Sequence, residues 1–214
     1  MSTAELPYKP VIESSNIIPT KWWVVTAGPS SGKTSVLEYL ASRGYQTKPE
    51  AARVLIDREM NNGRRIEAIR ANERNFQLTV HEMKERMERE MSPEDVILLD
   101  RGIEGDSFAY NGDNETAIPN RRYAGIFLLD ELPFQGDYAR TENEARAREI
   151  HLRIGIGYRV LGYRPIRVPV LSSNREESIE LRGQFIIDHM RSVDPSIPDL
   201  PAPIKSEYQL KLPV

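Results

Sequence analysis

The stretch from Ala27 to Thr34 reads Ala-Gly-Pro-Ser-Ser-Gly-Lys-Thr. These residue types at this spacing suit the binding of a polyphosphate. They fit the pattern of a phosphate-binding loop, with alanine in place of the first glycine. Gly28, Pro29, Ser30, Ser31 and Gly32 form the turn, where successive backbone N–H groups point into one concavity. A helix beginning there adds the positive end of its dipole. Gly32 lets the backbone approach the phosphates closely. Lys33 reaches the β- and γ-phosphates, Thr34 offers its hydroxyl to Mg2+, and Ser35 completes the nucleotide-binding set. A positive φ at Ala27 would cost roughly 1 kcal/mol, so a negative φ is expected there.

Such a loop needs a carboxylate near the metal. Asp100 is the candidate. It ends the apolar run Val96-Ile97-Leu98-Leu99, and the carboxyl end of a parallel strand opens on the ligand crevice. Thr34 and Asp100 are therefore the expected metal ligands, Asp100 directly or through water. Arg101 follows at the same edge. Its planar, permanently charged fork suits a transferring phosphate or an acceptor anion, and a surface ion pair is the alternative.

These side chains require a scaffold of alternating strands and helices. The pattern predicts strands over Lys21–Thr26, Tyr45–Thr47, Asp95–Asp100, Tyr123–Leu129 and Ile166–Val170. It predicts helices over Ser35–Ser42, Glu50–Asn61, Ile66–Met91, Glu142–Val160 and Arg175–Arg191. Such alternation implies a parallel sheet with helices on both faces. Residues 1–20 read as an extended arm. Pro195, Pro198, Pro201, Pro203 and Pro213 make 193–214 an extended tail. The domain between them spans 21–192.

The motifs together resemble the small AAA-like P-loop ATPases of the nucleoside and nucleotide kinase group, a family similar to the ribosylnicotinamide kinase domain of NadR. The resemblance is carried by Gly28 to Thr34, Gly44-Tyr45, Pro49-Glu50-Ala51-Ala52-Arg53, Asp100-Arg101-Gly102 with Ala109-Tyr110, Leu132-Pro133-Phe134 with Asp137 and Arg140-Thr141-Glu142, Gly162-Tyr163, and Val168-Pro169-Val170. The Asp-Arg-Gly stretch also resembles thymidylate kinases. The resemblance implies an α/β three-layer P-loop NTPase fold. Its five-stranded parallel sheet would be of adenylate-kinase type, with the P-loop strand central and a small helical lid over about residues 131–149. It implies ATP and Mg2+. It implies Glu50 as a candidate general base toward an acceptor hydroxyl, or else a helix-N-terminal carboxylate that favours the macrodipole. Arg53 either binds substrate or pairs with Glu50. Arg140, in the lid, would stabilise charge on the transferring phosphate. Arg146 and Arg148 are weaker lid candidates on a charged, solvated helix face. Tyr138-Ala139 stands where the family pattern has a glycine-containing turn.

Composition narrows the classes. A net charge of −3 gives no broad basic field, which argues against a dedicated nucleic-acid binder. The absence of cysteine excludes disulfides, thiolate zinc sites and cysteine nucleophiles. No apolar run approaches the roughly 20 residues that span a bilayer. The N-terminus lacks the basic and apolar stretches of a secretory signal, so a cytoplasmic location is expected. His81, His151 and His189 lack metal-ligand spacing, and Ser30 and Ser31 lack triad partners. Trp22 and Trp23 read as packing residues. Residues His81–Glu90 read as a solvated helix face carrying the pairs Glu82/Arg86 and Glu85/Arg89. Asn111–Arg122 is a long polar loop. No guanine-reading Asn-Lys-x-Asp motif occurs, which favours ATP. The expectation is an ATP- and Mg2+-dependent phosphotransferase with a small, nucleoside- or nucleotide-like acceptor. The alternative is a slow NTPase acting as a switch on a protein partner through the terminal arms.

Overall fold

The computed structural model describes residues 17–111, 121–132 and 143–200. Its strands are β1 (Ile18–Pro19), β2 (Trp22–Thr26), β3 (Gln46–Lys48), β4 (Ile97–Asp100), β5 (Arg121–Arg122), β6 (Gly125–Leu129) and β7 (Ile166–Val168). Its helices are α1 (Lys33–Ser42), α2 (Ala51–Asn61), α3 (Ile66–Ile69), α4 (Glu73–Glu90), α5 (Glu104–Asn111), α6 (Glu144–Val160) and α7 (Arg175–Val193).

Strand β2 consists of aromatic and β-branched residues, and each of them is buried. It lies at the centre of a five-stranded parallel sheet of order β3-β4-β2-β6-β7. Alternate side chains leave opposite faces, and both faces are covered. On one face Trp23 and Val25 pack with Val36 and Leu40 of α1 and with Ile186 and Met190 of α7. On the other, Trp22 and Val24 pack with Ile150, Ile154 and Tyr158 of α6. Trp23 stacks on Phe127 at 5.4 Å between centroids. Its neighbour in β6 is Gly125, where a Cβ would collide with the indole. A separate helical cluster of α2, α3 and α4 is built on Leu55, Ile56, Phe76 and Val80. The α/β three-layer class, the parallel sheet and the central P-loop strand are as the sequence implied. Among the described residues, no helix is long and apolar enough to cross a membrane.

Several local expectations change. The single helix over Ile66–Met91 is two helices, because Asn72 caps α4 by accepting a hydrogen bond from the Asn75 amide. Helix α5 occupies a stretch that the sequence reading left without an element. Strand β7 stops at Val168, since Pro169 has no N–H for the ladder. The end of the N-terminal arm pairs: β1 lies parallel to β5, at the close of the expected polar loop. The first tail residues also pack on the domain. Ile197 is buried, Tyr45 donates its hydroxyl proton to Pro198 O at 2.5 Å, and Arg191 pairs with Asp199 at 2.8 Å. Most of the expected lid, and the remainder of both arms, lie outside the described residues.

Trp23 joins β2 to β6 and to α7, so its loss would open a cavity in the main core. Trp23→Ala is expected to lower unfolding free energy by about 3–5 kcal/mol, measured by urea denaturation.

Candidate phosphotransfer site

The loop from Ala27 to Gly32 connects the end of β2 to the start of α1. Ala27 is buried and is not among the residues with positive φ, in line with expectation. Gly32 is the N-cap of α1 at φ 80°, a conformation that favours glycine, and no side chain caps the helix. Amides at a helix N-terminus lack intrahelical partners, and such a terminus suits an anion. Ser30 also holds a left-handed backbone, φ 62°. Pro29 and Ser31 are buried, and Ser35 is half-buried in the first turn of α1. Among the described residues, the Ser31 hydroxyl has no hydrogen-bond partner.

Lys33, Thr34 and Asp100 converge where β2 and β4 end side by side. Lys33 Nζ lies 3.5 Å from Asp100 Oδ1. The Thr34 hydroxyl donates to Asp100 Oδ2 at 3.4 Å. Asp100 is only 4% exposed, and among the described residues its Oδ1 accepts no hydrogen bond. Burial raises the Asp100 pKa. The Glu50 charge adds to that rise, and the Lys33 ammonium opposes it. A buried carboxylate oxygen of this kind favours a hard cation, and Thr34 and Asp100 supply oxygen donors that fit magnesium. Among the described residues, no cluster of three or more His, Cys, Asp or Glu could hold a metal alone.

Arg101 sits at the turn after β4 with φ 69°, a strained position for a residue with a Cβ. Its amide donates to Val25 O at 3.1 Å, fixing the turn beside the P-loop strand. The guanidinium is buried. Its Nε donates to Glu50 Oε1 at 2.8 Å, and one terminal nitrogen donates to Asp106 Oδ1 at 3.0 Å. The expected alternative for Arg101 was a surface ion pair, whereas the observed pairs are internal. Glu50 is the N-cap residue of α2, yet its side chain makes no cap hydrogen bond and turns to Arg101 instead. Burial pushes the Glu50 pKa up. The fields of Arg101, Lys33, Lys84 and Arg53 outweigh it and bring the group down to about 2.

Asp106, in α5, was absent from the sequence reading. It is 1% exposed and accepts four hydrogen bonds, from Thr26, Arg101, the Gly102 amide and the Tyr158 hydroxyl. Its signal in the sequence is an acid six residues beyond Asp100, which lands on α5 only once that helix is known. Other residues, read as bland or not singled out, reach the site. His151 of α6 accepts the Gly28 amide at Nδ1, 3.2 Å away, and burial lowers its pKa. A Cβ at Gly28 would press on Ala147 and His151, so α6 packs directly on the loop. Arg182 of α7 donates to the carbonyls of Ser31, Asp130 and Pro169. The face of α4 is only partly solvated. The Glu85/Arg89 pair forms at 3.4 Å. Lys84 turns inward to donate to Gly102 O at 2.8 Å, and buried Glu88 accepts from the Tyr123 hydroxyl at 2.6 Å. Arg146 and Arg148 pair with Glu149 and Glu144 on the open face of α6. Arg140 lies outside the described residues.

Beside Asp100 and Arg101 lies a shallow, solvent-open depression between the start of α2, the end of β4 and α4. Its lining includes Lys48, Pro49, Lys84, Met87 and Met91.

The depressed Glu50 pKa has a measurable consequence. The folded-state value lies below the ordinary 4.5, so Glu50 stabilises the fold above pH 4.5, and that contribution is lost as pH falls toward 2. Acid unfolding followed by circular dichroism should show it. Glu50→Gln is expected to flatten the rise in stability between pH 2 and 4.5 by an amount on the order of a few kcal/mol.

Comparison with known proteins places this geometry. A family model described as an AAA domain matches residues 22–177. Among solved structures, a deoxyadenosine kinase from M. mycoides, with the products dCMP and a flexible dCDP bound, superposes with a TM-score of 0.52 at 10% identity. The alignment covers 80% of this chain and 99% of that one, and it shows a shared fold. No curated protein matches. With the family match running from the start of β2 past β7, the chain belongs to the AAA domain family of P-loop proteins.

Proposed function

We propose that the protein transfers the γ-phosphate of ATP to a small-molecule acceptor in a magnesium-dependent reaction. One observation carries this reading. Lys33, Thr34 and Asp100 meet at the carboxyl ends of β2 and β4, and the Arg101–Glu50 pair stands beside them. A site for hydrolysis alone has no need of that second pair of charges. The fold shared with a deoxyadenosine kinase supports a nucleoside- or nucleotide-like acceptor.

In this reading the amides of Gly32 and the first turn of α1 bind the phosphates, and Lys33 neutralises their outer oxygens. Thr34 and Asp100 hold magnesium, which neutralises charge on the phosphates when bound. Arg101 would face the transferring group. It is held ready by Asp106 and needs no reorganisation as charge develops. Glu50 is ionised at neutral pH. It accepts the hydrogen bond of an acceptor hydroxyl and so orients that oxygen. Its low pKa suits a loose transition state, in which the hydroxyl keeps its proton until late. Arg140 adds charge stabilisation from the lid. The location inferred from the sequence is cytoplasmic.

The test follows ADP formation with ATP and Mg2+, with and without pooled nucleosides, nucleotides and vitamin precursors. Acceptor-stimulated release is expected in the wild type. Lys33→Ala is expected to lose it by about 10³-fold or more while retaining the wild-type circular dichroism. Slow release that no acceptor changes would instead support the switch.

A further inference from the structure

Helix α6 meets the phosphate loop at a polar contact that the phosphotransfer reading does not use. Strand β2 ends at Thr26, so the Gly28 amide lies beyond the sheet ladder. Gly28 is buried, and a buried N–H needs an acceptor. That acceptor is His151 Nδ1, 3.2 Å away. The approach is close because glycine carries no side chain: a Cβ at Gly28 would lie 2.8 Å from both Ala147 O and His151 Cβ. Accepting at Nδ1 places the proton of the neutral ring on Nε2. An imidazolium donates from both nitrogens. Protonated His151 would set N–H against N–H and leave the Gly28 amide unsatisfied.

The surroundings favour the neutral ring. Burial lowers the His151 pKa from 6.5 and Arg167 of β7 adds to the fall, while Glu131 and Asp130, after β6, oppose it. Asp130 is itself held by Arg167 through two bonds of 2.7 and 2.8 Å. On α6, Arg148 lies one turn back and pairs with Glu144. From the phosphate-loop side, Lys33 lies against Asp100 instead.

We propose that neutral His151 is a positioning residue for nucleotide binding: its Nδ1 anchors the Gly28 amide and so fixes the start of the loop whose later amides receive the phosphates. Gly28 precedes the two left-handed residues, Ser30 and Gly32, so its orientation sets where they begin. Arg182 of α7 holds the far end of the loop, donating to Ser31 O at 2.8 Å. Helices α6 and α7 pack on opposite faces of the sheet, so the loop is clamped from both sides. Protonation of His151 releases one clamp, and affinity for a nucleoside di- or triphosphate falls. This inference rests on the phosphate-loop part of the proposed function and not on transfer.

The experiment titrates the full chain with ADP and Mg2+ by calorimetry across pH, for the wild type, His151→Leu and His151→Asn. Leucine has no acceptor. Asparagine carries Oδ1 where the imidazole carries Nδ1, and it does not titrate. At about pH 8, His151→Leu is expected to bind about tenfold more weakly, the scale of one lost hydrogen bond to a buried amide, and His151→Asn to stay within about threefold of the wild type. As pH falls through and below 6.5, the wild type should lose its advantage over His151→Leu, whereas His151→Asn keeps it. Protonation of the nucleotide itself acts on all three alike, so the differences read the imidazole. Circular dichroism separates binding from folding. Nitrogen NMR of the three histidines should show His151 with Nδ1 bare and Nε2 protonated above its pKa. This holds whether or not the leucine variant folds. Equal affinity of wild type and His151→Leu, a wild-type pH profile matching that of His151→Asn, or a neutral ring protonated on Nδ1 would overturn the proposal. Lys33→Ala separates the two readings. Loss of ADP binding there, with His151→Leu unaffected, keeps the phosphate loop and removes the role of His151. Unchanged binding in Lys33→Ala, or none in the wild type, removes the loop reading and this inference with it.

Discussion

Buried charge at the carboxyl end of the sheet is the constraint on which the site depends. Asp100, Lys33, Glu50, Arg101 and Asp106 lie within a few residues of one another in space, most of them nearly inaccessible to water. Charges removed from water are tolerated only when paired or hydrogen-bonded. Arg101 is held between two carboxylates, whereas Asp100 Oδ1 faces the Lys33 ammonium and, among the described residues, accepts no hydrogen bond.

Asp106 ties the site to the scaffold. Through Thr26 it is bonded to the P-loop strand, through Gly102 to the turn after β4, and through Tyr158 to α6. Helix α6 also abuts the phosphate loop, because Gly28 leaves room for Ala147 and His151. Helix α6 therefore touches both the phosphate loop and the network that holds Arg101. Arg182 grips the other side, where α7 fastens the P-loop carbonyl of Ser31 to the ends of β6 and β7. A loop with left-handed backbone at Ser30 and Gly32 needs such clamps, since each non-glycine residue in that region costs about 1–2 kcal/mol.

Much of the fold was legible because its signals are local and repeated. The apolar runs of β2, β4 and β6 and the glycines of the P-loop identify a parallel sheet with a nucleotide loop at its centre. The Glu85/Arg89 pair and the packing roles of Trp22 and Trp23 follow the same local rules. Helix α5 was not legible, because Glu104-Gly105-Asp106-Ser107 has weak helix propensity. It forms where Gly105 lets the backbone press against the Tyr158 ring. The inward turn of Lys84 was hidden for a similar reason. On a helix rich in alternating charges, only the neighbouring Gly102 carbonyl distinguishes it from its solvated companions.

The sequence by itself determined the sheet order's centre, the phosphate loop and the position of Asp100, since strand burial and loop chemistry act over a few consecutive residues. It left Glu50 open between two roles and left Asp106, His151 and Arg182 unassigned. Tertiary structure supplied the partners of these side chains. Glu50 and Arg101 lie 51 residues apart, and Arg182 and Ser31 lie 151 apart. A partnership across such distances has no periodicity or local spacing to announce it. It exists only once the sheet has brought the strand ends together and excluded water from between them.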